Sequence, residues 1–117
     1  MTESQRNELL RPYNKNIAQV SPKLAEQVFD RSGGICEICN NNRASEIHHI
    51  CGRRRKAHLN NLLHLCIDCH KPPNGIHANQ RLYNSRMASY QLWCEMQGFD
   101  EEETRYLLGT KSNKLFY

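Results

Sequence analysis

The sequence predicts a small α+β domain, with two short strands inside a cysteine- and histidine-rich centre and helices flanking it on both sides. Three observations predict this. Two C-x-x-C pairs, Cys36/Cys39 and Cys66/Cys69, bracket the centre. Ser45–Ile50 and Leu62–Leu65 are short runs of strand type within it. Outside it, apolar residues recur at helical spacing and are punctuated by capping residues and glycines.

Taken in order, residues 1–20 read as a peripheral arm. Thr2–Leu10 suits one short helix that stops before Pro12, and Tyr13–Val20 is polar enough for a linker. Ser21-Pro22 is an N-cap followed by a first-turn proline. Leu24, Ala25, Val28 and Phe29 continue at helical spacing, and Gly33-Gly34 stops that helix. The central region, residues 35–77, holds five of the six cysteines and all six histidines. Between its strands, Cys51–Asn61 carries Gly52 and a basic run and reads as a loop. A second helix is expected from about Ala78 to Gln97, with Leu82, Met87, Tyr90, Trp93 and Met96 near one face, which closes a main domain over 21–97. In 98–117, Asp100 with Glu103 forms a capping box, Glu101 and Glu102 favour the positive helix end, and Gly109 is the stop. Thr110–Tyr117, with Lys111 and Lys114, is expected to be a mobile tail.

A chain of 117 residues is one domain with a modest core, which a structural metal would supplement. No apolar run approaches the roughly 20 residues needed to cross a bilayer. Met1–Arg11 lacks the apolar stretch of a signal peptide. The expectation is an intracellular protein with no membrane partner. A net charge of +4 and a pI near 8.8 permit a nucleic-acid partner without requiring one. Inside a cell, six cysteines suggest metal ligation before disulfides.

Each C-x-x-C turn can aim two sulfurs at one ion. Two turns supply four thiolates in a tetrahedron, which is a closed structural zinc site with no open position for water or substrate. Cys51 and Cys94 are left as free or buried thiols. With the cysteines assigned, the histidines need another explanation. His48 and His49 are neighbours in a strand and must face opposite ways, so they cannot share one job. His70 follows the last zinc cysteine where a helix would begin, and His77 comes after Pro72-Pro73 and Asn74-Gly75. His58 and His64 read as ordinary, partly buried histidines, although His64 could contact a phosphate.

Cys36-x-x-Cys39, then Ile47-His48-His49-Ile50, then Asn61-Leu62-x-x-Leu65-Cys66-x-x-Cys69-His70 resembles the zinc-containing HNH endonucleases over roughly residues 24–77. The resemblance implies a ββα-metal core: a two-stranded hairpin and a helix around one divalent catalytic ion. It implies that His49 is the general base that activates water. His48 and His70 would be metal ligands, His48 standing where many members have Asp, and His77 a further ligand. Asn61 would orient the base-bearing loop or join the metal shell. The chain departs from the family pattern after the histidine pair, where Cys51 stands nearby in place of a common proline.

The chemistry suits these parts. Phosphodiester hydrolysis needs a base for water, and a neutral imidazole with a pKa near about 6.5 can serve. A divalent ion can relieve charge on the phosphate and the leaving 3′-oxygen. Imidazole and amide ligands bind Mn²⁺, Ni²⁺ or Zn²⁺ more tightly than Mg²⁺, but cellular abundance favours Mg²⁺ or Mn²⁺. Arg53-Arg54-Arg55-Lys56 would flank the scissile phosphate and hold DNA backbone oxygens, with little sequence information. The expected activity is cutting or nicking DNA, in a setting that leans toward phage or mobile-element proteins. The alternative is a non-catalytic zinc-ribbon-like module that binds DNA or protein. Such a module would have no use for His49, Asn61 and His70. A protein-interaction role for the Trp93 helix is a third, weaker reading.

Overall fold

The computed structural model describes residues 1–109 and 114–116. In chain order the elements are α1 (Glu3–Leu9), α2 (Pro22–Ser32), β1 (Glu46–His49), a 3-10 turn (Leu59–Asn61), β2 (Leu62–Leu65), α3 (Ile67–His70), α4 (Gln80–Met96) and α5 (Glu101–Leu108). This is the predicted α+β class: a two-stranded antiparallel hairpin followed by helices, with the four cysteines gathered beside it. No helix among the described residues is long and apolar enough to cross a membrane.

The caps read from sequence form. Ser21 Oγ accepts from the Leu24 amide, and Asp100 with Glu103 makes a reciprocal box. The hairpin register pairs Glu46 with Leu65, His48 with Leu63 and His49 with Leu62. Every β2 residue is buried, because both sheet faces are covered. On one side Val28 of α2 meets Leu62, Ala57 and Leu59. On the other, Leu65 and Ile50 join Ile76, Met87, Tyr90, Cys94 and Leu107 in the main core. The Arg31 guanidinium grips Glu37 through two hydrogen bonds and donates to Leu62 O at 2.7 Å, tying α2 to the first C-x-x-C turn and to β2.

Three expectations need correction. Residues 1–20 are not peripheral. Leu9 is buried in the main core, and Arg6 pairs with Glu103 and stacks on Phe99. In the supposed linker, Ile17 and Ala18 are 4% and 3% exposed, two apolar residues hidden among polar ones. The α4 face is also rotated from the expected one. Met87, Tyr90, Gln91 and Cys94 point inward, whereas Met96 is 75% exposed, so a stripe of large apolar residues misplaced the buried edge. Finally, Leu115 and Phe116 of the supposed mobile tail pack against the main core, and the Phe116 amide donates to Gln91 Oε1. The mobility expected for Lys111 lies outside the described residues.

Candidate functional site

The four sulfurs of Cys36, Cys39, Cys66 and Cys69 lie within 4.8 Å of one another. The first pair sits on the turn after α2, and the second opens α3, so β1 and β2 are stapled between them. The Asn42 amide and side chain reach the Cys39 and Cys66 sulfurs at 3.5 and 3.6 Å. Burial works against ionising Cys36, yet backbone amides of Cys66, Cys39 and Ile38 overcome it and bring the thiol down to about 6. Burial and the neighbouring sulfurs push the Cys69 thiol up. Four thiols this close cannot all ionise without a cation between them, which fits a structural zinc.

Cys51 and Cys94 stay outside the cluster as free thiols. Burial pushes them up to about 11 and about 12, so they are inert core residues.

A second cluster lies on the edge of the hairpin. One ring nitrogen from each of His48, His70 and His77 falls within the same 4.8 Å limit. His48 projects from β1, and His70 from the last turn of α3. His77 arrives because the chain folds back over α3: the Gly75 amide donates to Lys71 O and the Ile76 amide to Cys69 O. A Cβ on Gly75 would lie 2.4 Å from the backbone of His70 and Lys71, so only glycine permits that fold-back.

The donor set fits a divalent ion on three grounds. First, His48 Nε2 is buried with no hydrogen-bond partner, an orphan that a ligated ion would satisfy. Second, His70 Nδ1 donates to Glu46 Oε1 at 2.9 Å, which leaves the His70 Nε2 lone pair facing inward. Third, His70 Nε2 and His77 Nε2 stand 2.9 Å apart, close to the spacing of about 3 Å for two nitrogens each roughly 2.0–2.1 Å from one ion. Burial, then the adjacent imidazoles, hold His48 down at about 4, so it is neutral and able to ligate. Hydrogen bonds from His70 and Lys71 lower the Glu46 pKa and keep it a carboxylate.

His49 faces the other way, as strand alternation requires. Its Nε2 lies 2.9 Å from Ala18 O. A carbonyl only accepts, so Nε2 carries the proton and Nδ1 carries the lone pair. Arg53 Nη1 is 3.4 Å from the same nitrogen, too far to compete. Burial lowers the His49 pKa, against the pull of the Ala18 carbonyl, and favours the neutral ring. His49, His48 and His77 all line one cleft of about 680 Å³, together with Arg53 and Arg54.

Asn61 is held in the loop that follows His49. It is 3% exposed, its Oδ1 accepts from the His58 amide, and its Nδ2 donates to Lys56 O, both at 2.9 Å. Both ends of its amide thus brace the loop after His49.

The basic run divides. Arg53 and Arg54 line the cleft, whereas the Arg55 guanidinium sits 3.8 Å over the Tyr106 ring and donates to Tyr106 O. Lys56 is not among the cleft residues, and its carbonyl serves Asn61. His58 packs on Trp93, and His64 Nδ1 meets Ser32 Oγ at 2.7 Å, consistent with ordinary packed histidines.

Sequence reasoning missed two groups. Glu46 is two residues before His48 and so shares its strand face; that spacing could have found it. The Ala18 carbonyl left no signal, because a backbone oxygen carries no side-chain signature. No family model matches the chain, and no curated protein or solved structure matches it either.

Proposed function

We propose that the protein is a metal-dependent endonuclease of the HNH type that hydrolyses DNA phosphodiester bonds. The observation that supports this reading is a juxtaposition: ring nitrogens of His48, His70 and His77 converge, and the next strand residue, His49, is held by Ala18 O and lines the same cleft as His48 and His77. His48, His70 and His77 would hold a divalent ion, Mg²⁺ or Mn²⁺ in the cell, which supplies charge relief at the phosphate and the leaving 3′-oxygen. The four cysteines would hold zinc, which fixes the strands and takes no part in the reaction.

The chain's own residues perform the rest. His49 Nδ1 accepts the proton of the attacking water, while Ala18 O holds the ring from the opposite nitrogen. Glu46 stabilises His70 through its Nδ1 proton. Arg53 and Arg54 offer guanidinium groups to phosphate oxygens at the mouth of the cleft. Asn61 keeps the His49-to-arginine loop in register.

The test is conversion of supercoiled plasmid to nicked or linear form across a panel of Mg²⁺, Mn²⁺, Ni²⁺ and Zn²⁺. Cleavage by the wild type that is lost in His48→Ala supports the reading. No cleavage with any ion, by folded protein that still binds DNA, would instead support a binding module.

A further inference from the structure

The cleft extends well beyond the groups that hydrolysis requires. Its volume of about 680 Å³ falls inside the roughly 300–1,000 Å³ range of clefts that enclose a small-molecule-sized group. One wall is the histidine edge. The far wall is built by the first turns of α4 and by the described end of the chain.

That far wall has the chemistry of a nucleotide site. Tyr83 and Phe116 meet edge to face, with ring centroids 6.3 Å apart, and both residues line the cleft. Beside them, the Gln80 amide donates to Asn84 Oδ1 at 2.8 Å. In that pairing Gln80 Oε1 and Asn84 Nδ2 remain as an adjacent acceptor and donor, the pair a base edge can engage. Lys114 lines the cleft with Arg53 and Arg54, its ammonium 5.7 Å over the Phe116 ring, which leaves Tyr83 as the ring for a base, and no carboxylate lines the cleft among the described residues. Three cations for phosphates, an aromatic wall for a base and an amide pair for its edge are the parts of a single-strand site.

We propose that this cleft receives an unpaired nucleotide next to the phosphate at the histidine triad, so that single-stranded or locally unpaired DNA is the preferred substrate. The reason is steric as well as chemical. A base still stacked and paired in a duplex cannot present its face to Tyr83, nor a free pairing edge to Gln80 and Asn84. An unpaired nucleotide does so without the cost of unstacking. The inference rests on the nuclease reading for the choice of DNA, but its test reads binding and not cutting.

The experiment measures fluorescence anisotropy with a labelled 12-nucleotide DNA strand, without added divalent ion. The same strand is tested alone, as a blunt duplex, and as a duplex with one unpaired central nucleotide. The strand and the interrupted duplex are expected to bind at least about tenfold more tightly than the blunt duplex. Tyr83→Leu should weaken strand binding by about 5- to 150-fold, the range for loss of one base–aromatic stack, while Tyr83→Phe retains it. Asn84→Ala should weaken it as well, and it guards against a folding defect in Tyr83→Leu. Among the described hydrogen bonds, the Asn84 side chain engages only Gln80. Equal affinity for strand and blunt duplex would overturn the proposal. So would wild-type strand binding by folded Tyr83→Leu or Asn84→Ala protein. If the binding pattern holds while plasmid and strand remain uncut with every ion, the nucleotide site stands and the nuclease reading falls.

Discussion

His49 Nε2 donates to the carbonyl of Ala18 at 2.9 Å, so a segment far from the histidine motif sets the tautomer of the residue proposed as base. Ala18 can do this because Ile17 and Ala18 are themselves buried and the Ala57 amide donates to Ile17 O. The N-terminal segment therefore braces His49 through a single backbone carbonyl. A ring so held presents Nδ1 in one orientation, which a base needs more than a large pKa change.

His49→Ala is expected to lower the cleavage rate by about 10²- to 10⁴-fold with DNA affinity nearly unchanged, because a base acts on the transition state. His70→Ala should differ: its defect passes through ion binding, so raised Mn²⁺ restores part of the rate. Single-turnover rates across a Mn²⁺ titration separate the two. Rescue of His49→Ala by Mn²⁺ would remove the base assignment.

Glu46→Gln keeps the size of the side chain but removes the charge that faces His70 Nδ1. Loss of such an outer carboxylate typically costs about 10- to 100-fold in metal affinity. Calorimetric titration of Mn²⁺ into DNA-free protein should show that loss, with the cysteine-bound zinc undisturbed. Unchanged affinity would mean that Glu46 serves only its ion pair with Lys71.

The purified chain should hold about one tightly bound zinc, and Cys66→Ser should lose both the metal and much of the fold. Structural zinc contributes on the order of 10–16 kcal/mol of apparent binding energy. That is comparable to the roughly 5–15 kcal/mol stability of a whole domain. Elemental analysis paired with circular dichroism reads both effects. Folded, active protein without zinc would eliminate the structural site.

The basic run should split on mutation. Arg53→Ala with Arg54→Ala should weaken binding to all DNA sequences and reduce the salt slope by up to about 2, at roughly 0.9 per phosphate contact. Arg55→Ala should instead lower the melting temperature, since its guanidinium stacks on Tyr106 and donates to Tyr106 O. Salt-dependent binding and thermal melts distinguish them. An unchanged salt slope in the folded double variant would return Arg53 and Arg54 to solvent.

His58 supplies a pH dependence of stability. Burial against Trp93 lowers its pKa below the ordinary value, and its Nδ1 accepts from the Asn60 amide, which requires the neutral ring. The unfolded chain then takes up the proton more readily than the folded one. The contribution is full above about pH 6.5 and is lost as pH falls beneath it. His58→Asn should be less stable than wild type at pH 7.5, with the gap narrowing toward pH 5.5 in denaturant titrations. A gap that is constant with pH would show that His58 acts by packing alone.

Local chemistry in the sequence determined the elements and the candidate four-cysteine group. Ser21-Pro22 and Asp100 with Glu103 act within one helical turn, so their caps could be read directly. The C-x-x-C spacing likewise confines two sulfurs to one turn, and strand alternation alone separated His48 from His49.

What only the tertiary structure decided depended on contacts between distant segments. The closeness of His77 to His70 required a fold-back over Gly75. The partners of the Asn61 side chain, in the Lys56–His58 loop, were set by the loop's path. Arg55 looked like its neighbours until α5 supplied Tyr106. At the end of α5, a Cβ on Gly109, whose φ is 66°, would stand 2.8 Å from Cys51 O; this packs the helix end tightly on the loop after His49. Ala18 contributes only a backbone oxygen, and the same oxygen is present at every residue. Which carbonyl meets His49 is decided by packing, and no residue type in the sequence encodes it.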